Sequence, residues 1–202
     1  MDIDEQYKKI VKSKLRADSH RQRRRLSDIG ELHFLVAESK EIKKVIISKM
    51  IDQKNRQYRF TVQEHKAFYE KLTDIQNKKL NIHCAALFVG DIAVATHVGI
   101  VDQNIFYYLM PAHEGGDWEK YSPGRLLLEH LMEWSIQNNL KVFDFTVGGE
   151  QYKKNWCDTE TKILGGTGLY NWVKNLSLLE QSHRVLPVSY THLRAHETRH
   201  DL

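Results

Sequence analysis

Four consecutive residues in the second half of the chain have the types and order that open a phosphate-binding helix. Serine is favoured at a helix N-cap, here Ser122, and proline at the first helical position, here Pro123, because its missing N–H is not needed there. Gly124 and Arg125 would then offer free backbone N–H groups at the positive end of the helix dipole. This segment is therefore predicted to bind an anion.

A second group of reactive side chains follows a predicted strand that ends in two glycines. Glu150, Tyr152 and Lys153 come after the glycines, and Asp144 lies within the strand on a half-apolar face. Carboxylate, phenol and ammonium groups can accept protons, donate them or stabilise charge during a transfer reaction. A helix N-terminus for an anion beside such a strand end is the layout of a group-transfer site.

The elements that would position these residues alternate between helix and strand. Capping residues and the helical spacing of apolar residues predict helices that begin at Ser39, Thr61, Ser122 and Glu150. Runs of β-branched and aromatic residues predict the strands Glu31–Ala37, Ile82–Val89, Ile92–Val101, Ile105–Met110, Lys141–Val147 and a last one near Lys162–Leu164. Lys54–Phe60 and His113–Lys120 are predicted loops. This order predicts an α+β domain with a mixed sheet, in which three consecutive strands form an antiparallel meander.

The two motifs together resemble the CelD/FemAB-like branch of the GNAT acyltransferase superfamily, and the resemblance extends over residues 15–178. In that branch S-P-G-x-L-L opens the central helix, and D-F-x-x-G-x-E-x-Y-K follows the next strand. The matching residues here are Ser122, Pro123, Gly124, Leu126, Leu127, Asp144, Phe145, Gly148, Glu150, Tyr152 and Lys153. The general acyl-CoA signature of the superfamily, Q/R-x-x-G-x-G/A, is present only as Tyr121-x-x-Gly124-x-Leu126.

The resemblance implies a GNAT-like acyl-CoA acyltransferase fold, in which the strands before and after the central helix part and hold the donor's pantetheine between them. It implies transfer of an acyl group, with acetyl expected, from acyl-CoA to an amine or hydroxyl of a sugar, a polysaccharide precursor or another cell-envelope component. Two alternatives stay open: an aminoacyl-tRNA-dependent transfer, as in some FemAB-like relatives, and a degenerate domain that binds without catalysis. The residues expected to bind the donor are Tyr121, Ser122, Gly124, Arg125 and Leu126.

Acyl transfer requires a base for the nucleophile and a partner for the oxyanion. Glu150 or His113 is the expected base, and the imidazole suits this role because it titrates near neutral pH. Lys153 or backbone N–H groups of the meander would stabilise the oxyanion, and Tyr152 could protonate the leaving thiolate. Asp144 would orient the acceptor or hold Lys153.

The composition fits one globular domain in a reducing compartment, and a cytoplasmic protein is expected. The 202 residues suffice for one core, no apolar run has the roughly 18 residues of a membrane span, and the N-terminus has no signal-peptide pattern. Two cysteines, Cys84 and Cys157, do not make a disulfide framework. His83 and His97 are interpreted as hydrogen-bonded histidines of the sheet, and no metal is expected.

Both ends of the chain are expected to lie outside the acyltransferase domain, which is predicted over residues 30–178. Nine basic residues within the first 25 predict a basic linker helix in residues 1–29, which would follow a further N-terminal domain missing from this chain. Nucleic acid is not an expected partner; a small molecule or a glycan acceptor is. Residues 179–202 are predicted to be poorly structured, and residues 188–202 resemble a translated sequencing adapter.

Overall fold

The computed structural model describes residues 11–58, 69, 71–72, 81–147, 150–163 and 190–194, and for residues 58, 161–163 and 190–194 it describes the backbone alone. The helices are α1 (Ser13–Ser27), α2 (Lys40–Tyr58) and α3 (Pro123–Gln137), with short 3-10 helices at Gly116–Tyr121 and Lys153–Asn155. The strands are β1 (Leu32–Val36), β2 (Asn81–Val89), β3 (Ile92–Asp102), β4 (Ile105–His113), β5 (Val142–Asp144), β6 (Thr159–Ile163) and β7 (Tyr190–Arg194).

These strands form one mixed sheet in the order β1-β2-β3-β4-β5-β7-β6. Strands β1 to β4 are antiparallel neighbours. Strands β4 and β5 are parallel, because α3 carries the chain back across the sheet between them. The predicted α+β class, the mixed sheet and the antiparallel meander are confirmed.

The central strands β2 and β3 are buried on both faces, which explains their nearly continuous apolar sequence. Successive residues of a strand point to opposite faces of the sheet. Cys84 and Ala86 therefore pack in the core beneath α2, whereas Ala85 and Leu87 pack in the core beneath α1 and α3. The sheet is thus one layer between two layers of helix.

Helix α2 is longer than predicted. It continues through Tyr58, so residues 54–58 of the predicted loop Lys54–Phe60 are helical. The last turns are tied to the sheet, because Gln53 Nε2 donates to Ala93 O at 2.8 Å and Gln57 Nε2 donates to His113 O at 2.9 Å. These tertiary hydrogen bonds outweigh the polar, loop-like composition of the segment. The helix predicted to begin at Thr61 lies mostly outside the described residues.

The segment after α3 is less regular than predicted. Strand β5 is restricted to Val142–Asp144, because Thr146 has a left-handed backbone conformation with φ of 58° and ends the extended chain. In place of a polar helix from Glu150, the structure has a single 3-10 turn at Lys153–Asn155. The last predicted strand is present as β6, which begins at Thr159.

Residues 190–194, which lie within the predicted tail 179–202, form strand β7. This strand pairs antiparallel with β6 over five residue pairs and with β5 at one pair, Asp144↔Arg194. The physical reason is that open strand edges carry unpaired backbone groups, and the Tyr-Thr-His-Leu-Arg segment has enough β-propensity to pair with them. The rest of the predicted tail lies outside the described residues.

The basic helix α1 packs on the domain and is anchored partly by its own charges. Leu26 is fully buried in the core beneath α3. Ser19 Oγ donates to Oε1 of Glu129, and the guanidinium of Arg23 pairs with Oε2 of the same carboxylate at 2.9 Å. The Glu129 side chain is completely buried. The charge-rich sequence of α1 therefore serves packing as well as solvation.

His83 and His97 lie beside each other in the face of the sheet that α3 covers, with ring centroids 6.3 Å apart. Within the described part of the chain, none of their four ring nitrogens has a hydrogen-bond partner, which corrects the prediction of hydrogen-bonded histidines. The rings instead contact Phe106, Tyr108 and Trp134, which present aromatic surface to them. Burial lowers the pKa of His83 to about 3 and lowers the pKa of His97 well below its ordinary value.

This histidine pair predicts a protein that loses stability in mild acid. An unfolded histidine takes up a proton near pH 6.5, whereas buried His83 does so only near pH 3, so the free energy of unfolding should fall as the pH drops below 6.5. Between pH 7.5 and pH 5 the expected loss is about 2 kcal/mol for each histidine. Urea unfolding of His83→Leu and His97→Leu should show a correspondingly smaller loss.

The control for this experiment is His20→Gln, which removes an exposed histidine from α1. It should keep the pH dependence of the unmodified protein. If the unmodified protein and both leucine variants lose the same stability between the two pH values, the buried histidines do not cause the acid sensitivity.

Candidate active site

Strands β4 and β5 pair for three residues and then part. Their last pair is Tyr107↔Asp144. Beyond it β4 continues to His113, whereas β5 ends and Thr146 turns the chain away. Thr146 Oγ1 still donates to Tyr108 O at 3.2 Å, and this contact stands at the point of divergence. A wedge-shaped opening results inside the sheet, next to the N-terminus of α3.

A β-bulge in β4 lies at the same point. Between the pairs that β3 and β4 form on either side, Gly99 of β3 faces two residues of β4, Tyr108 and Leu109. A bulge bends its strand and re-aims backbone groups and side chains. Gly99 is required in this position, because a Cβ atom there would lie 2.5 Å from Tyr107 O.

The opening leads into a cavity of about 700 Å³. Its walls come from β4, the last turns of α2, the start of α3 and the segment that follows β5. Part of the wall is apolar, since Leu109 and Val147 expose large side chains next to Pro111 and Leu128. The predicted site residues that line the cavity are His113, Ser122, Gly124, Arg125, Glu150, Tyr152 and Lys153.

The N-terminus of α3 differs in detail from the prediction. Ser122 occupies the N-cap position, but its φ of 53° is left-handed and its side chain makes no capping hydrogen bond. Its carbonyl oxygen instead accepts the N–H groups of Arg125 at 3.1 Å and Leu126 at 3.2 Å. The prediction that the backbone N–H of Arg125 is free to bind an anion is therefore wrong. Among the described residues, the N–H of Gly124 has no hydrogen-bond acceptor. It lies at the N-terminus of α3, the positive end of the helix dipole, which attracts anions.

Three predicted site residues do not line the cavity. Leu126 is fully buried in the core, because the helical period directs it inward. Tyr121 packs at the edge of the same core beneath the guanidinium of Arg25, 4.8 Å from the ring centroid. Asp144 is buried, and its Oδ1 accepts the N–H of Thr146 at 2.7 Å, which holds the turn that ends β5.

Glu150 and Lys153 form an ion pair in the cavity wall, with Nζ 2.8 Å from Oε2. The Lys153 ammonium is buried and also donates to Val147 O at 3.0 Å, whereas the Glu150 side chain is 55% exposed. Burial raises the pKa of Glu150, but the hydrogen bond from Lys153 and the nearby positive charges outweigh it and lower the pKa below its ordinary value. Glu150 is consequently an ionised carboxylate at neutral pH.

Two phenols and a lysine complete this end of the cavity. The side chains of Tyr108 and Tyr152 share a hydrogen bond. Burial raises the pKa of Tyr108 well above its ordinary value, and the nearby Glu150 carboxylate and the hydrogen bond with Tyr152 add to this effect, so Tyr108 stays protonated. Burial lowers the pKa of Lys54, which reaches the cavity from α2.

His113 lies at the other end of the cavity, beside the start of α3. Its Nδ1 is 2.9 Å from the carbonyl oxygen of Glu114, so Nδ1 is the donor of this hydrogen bond. A Cβ atom built on Gly124 would lie 3.2 Å from His113 Cδ2. The two residues thus flank one narrow passage.

Sequence reasoning missed several residues of the cavity. Lys54 falls in a predicted loop, Tyr108 is expected in the core or at its rim, and Leu109 and Thr146 carry no predicted role. The sequence does not reveal that Thr146 has a positive φ, because threonine rarely adopts that conformation. Nor does it reveal the bulge, which depends on the register between β3 and β4. The glycine in β3 was the available signal, since an isolated strand glycine marks a bulge or a close backbone approach.

The family described as "Acetyltransferase (GNAT) domain" matches residues 13–154. This match covers more than half of the chain, and it includes α1, the meander, α3 and the Glu150–Lys153 pair. The chain belongs to the GNAT acetyltransferase family. It is therefore an acyltransferase, and acetyl-CoA is the acyl donor that such domains use.

Solved structures of other GNAT proteins resemble this one at low sequence identity. A GNAT-family acetyltransferase from Staphylococcus aureus Mu50 is 11% identical, with a TM-score of 0.49, over 81% of this chain and 99% of that one. The ribosomal-protein-S18-alanine N-acetyltransferase from Escherichia coli is also 11% identical, with a TM-score of 0.46, over 85% of this chain and 99% of that one. No curated protein sequence matches the chain.

Two features are absent from the described residues. No helix among them is long and apolar enough to cross a membrane. Nor do they contain a group of three His, Cys, Asp or Glu side chains that could hold a metal ion.

Proposed function

We propose that this GNAT acetyltransferase transfers the acetyl group of acetyl-CoA to an amine or hydroxyl acceptor inside the cavity between β4 and β5. The observation that carries the proposal is that one cavity reaches from the free N–H of Gly124 to the Glu150–Lys153 ion pair. The N–H of Gly124 can bind the phosphates of an anionic donor. The Glu150–Lys153 pair can take part in the proton transfer that acylation requires.

In this proposal the pantetheine arm lies along the open edge of β4, against Leu109 and Val147, which offer apolar surface. The pyrophosphate lies at the N–H of Gly124, with the ring of His113 beside it. The thioester carbonyl then lies at the bulge in β4, where backbone N–H groups can stabilise its oxyanion. His113 is thereby reassigned from base to donor contact, because it adjoins Gly124.

We propose Glu150 as the base and Tyr152 as the acid. The acceptor's nitrogen or oxygen attacks the thioester carbon and gives its proton to Glu150, directly or through water. The C–S bond then breaks, and the thiolate takes the phenolic proton of Tyr152. Lys153 positions the Glu150 carboxylate and keeps it ionised, as the 2.8 Å ion pair and the lowered pKa of Glu150 indicate. Asp144 positions this segment through its bond to Thr146 N–H.

The acceptor class and the branch of the family are also proposals. The D-F-x-x-G-x-E-x-Y-K run supports a place in the CelD/FemAB-like branch, and hence an acceptor that is a sugar, a polysaccharide precursor or a cell-envelope component. We propose that the protein acts in the cytoplasm, where its two cysteines, both free, would stay reduced.

Calorimetric titration with acetyl-CoA tests the donor, followed by a thiol-release assay with a panel of amino sugars, sugars and amines. Binding of acetyl-CoA and acceptor-dependent thiol release are expected. Binding of charged tRNA without acetyl-CoA would favour aminoacyl transfer and contradict the proposal. Binding of acetyl-CoA without acetyl transfer to any acceptor in the panel would favour a degenerate binding domain.

Gly124→Val should weaken acetyl-CoA binding by about tenfold or more, which is about 1.4 kcal/mol. The added side chain must enter the passage beside His113, where even a Cβ atom would lie 3.2 Å from the ring. Gly115→Val is the matched control, because a Cβ there makes only an ordinary contact, 3.5 Å from Glu119 Oε1. Equal affinities of the two folded variants would show that the donor does not approach Gly124.

A further inference from the structure

We propose that the start of α1 supplies a second phosphate subsite, which binds the 3′-phosphate on the ribose of coenzyme A. This inference rests on the proposed function, since it takes acetyl-CoA as the ligand of the main cavity. The proposed subsite is a smaller cavity of about 290 Å³ that adjoins the main one. The residues lining this smaller cavity are Lys12, Lys14, Leu15, Asp18, Arg125 and Asn155.

The two cavities are continuous in their walls. Leu15, Arg125 and Asn155 line both of them. A donor whose pyrophosphate lies at Gly124 can therefore extend past Arg125 towards α1. The nucleotide end of coenzyme A carries its remaining phosphate on the ribose, beyond the pyrophosphate, so it is the part of the donor that would reach the smaller cavity.

The charge of the smaller cavity favours an anion. Three of its six lining residues, Lys12, Lys14 and Arg125, are cations, and Asp18 is the one carboxylate. Asp18 already accepts hydrogen bonds from Arg125 and Arg21, and the bond from Arg125, the first cause, lowers the pKa of the carboxyl despite the opposing effect of burial. The guanidinium groups of Arg125 and Arg21 therefore balance the charge of Asp18. Lys12 and Lys14 add two positive charges that can bind a phosphate.

Two further features belong to residues of the smaller cavity. The Nε atom of Arg125 is buried and has no hydrogen-bond partner among the described residues. The smaller cavity also lies at the N-terminal end of α1, where Lys12 O accepts the N–H groups of Leu15 and Arg16. The positive end of that helix dipole adds to the charge of the lysines. Helix α1 would then serve donor binding as well as packing.

Calorimetry with coenzyme A and with dephospho-coenzyme A, which lacks the 3′-phosphate, tests the subsite. The unmodified protein should bind coenzyme A about tenfold more tightly, as expected for one or two charge-assisted hydrogen bonds. Lys12→Ala/Lys14→Ala should reduce that preference to within about threefold and leave the affinity for dephospho-coenzyme A unchanged. Inorganic phosphate should compete with coenzyme A more than with dephospho-coenzyme A.

The matched control is Arg24→Ala/Lys44→Ala, which removes two exposed cations that line neither cavity. It should keep the full preference. An equal loss in both double variants would mean that net charge alone sets the preference, and an undiminished preference in Lys12→Ala/Lys14→Ala would also overturn the subsite. If inorganic phosphate binds there but does not compete with coenzyme A, the ligand is free phosphate and the nucleotide assignment is wrong. If the unmodified protein binds neither nucleotide, the proposed function itself fails.

Discussion

Replacing Glu150 by glutamine should lower the turnover of acetyl transfer by about 100-fold or more, the usual contribution of a general base. The amide keeps the size of the side chain and can still accept a hydrogen bond from Lys153, but it cannot take the proton of the acceptor. The folded state should survive the replacement, because the buried Lys153 ammonium keeps two hydrogen-bond acceptors, the new amide oxygen and Val147 O. The measurement is the rate of thiol release with acetyl-CoA and the best acceptor of the panel.

The control is Glu119→Gln, the same chemical change in a second carboxylate that lines the cavity. Glu119 lies near the start of α3, away from the proposed reacting atoms, so turnover should stay within about twofold of the unmodified protein. Acetyl-CoA should bind all three proteins alike. If Glu150→Gln keeps full turnover, the base is another group, and the Glu150–Lys153 pair serves the architecture of the cavity.

A variant in which alanine replaces Arg23 should lose about 3 kcal/mol or more of unfolding free energy. The substitution removes the guanidinium that pairs with the completely buried carboxylate of Glu129, which also accepts a hydrogen bond from Ser19 Oγ. Breaking a buried ion pair on one side is costly because the remaining charge stays out of water with one opposite charge fewer beside it. Urea unfolding at neutral pH measures the loss, and α1 should detach more readily, which hydrogen exchange in its backbone would detect.

Two further variants separate the ion pair from the packing of α1. Arg24→Ala removes an exposed arginine from the same helix and should cost less than about 0.5 kcal/mol. Arg23→Ala/Glu129→Leu removes both charges and should recover much of the lost stability. If Arg23→Ala costs no more than Arg24→Ala, the pair contributes little, and other contacts, such as the packing of Leu26 and the pair between Asp18 and Arg125, hold α1.

Local sequence was enough to define most of the fold. The alternation and turn residues of the meander, the apolar stripe of α3 and its proline start are short-range signals, so the strands β1 to β4 and the central helix agree with the prediction. Local sequence also singled out the three reactive side chains that follow Gly148 and Gly149, since Glu150, Tyr152 and Lys153 line one cavity. The signals failed where long-range contacts decide. Gln53 and Gln57 extend α2 through bonds to distant strands.

The residue types of this protein and their order along the chain determined its fold class and predicted seven of the residues that line its cavity. Only the tertiary structure decided how those groups pair. In the folded protein Lys153 is buried against Glu150, and the N–H of Arg125 donates to the carbonyl oxygen of Ser122. Arg23 of the basic helix α1 pairs with the buried carboxylate of Glu129. The reason is physical: a pattern of polarity specifies which face of an element is buried, whereas pairing depends on ångström-scale distances between residues as far apart in sequence as Arg23 and Glu129.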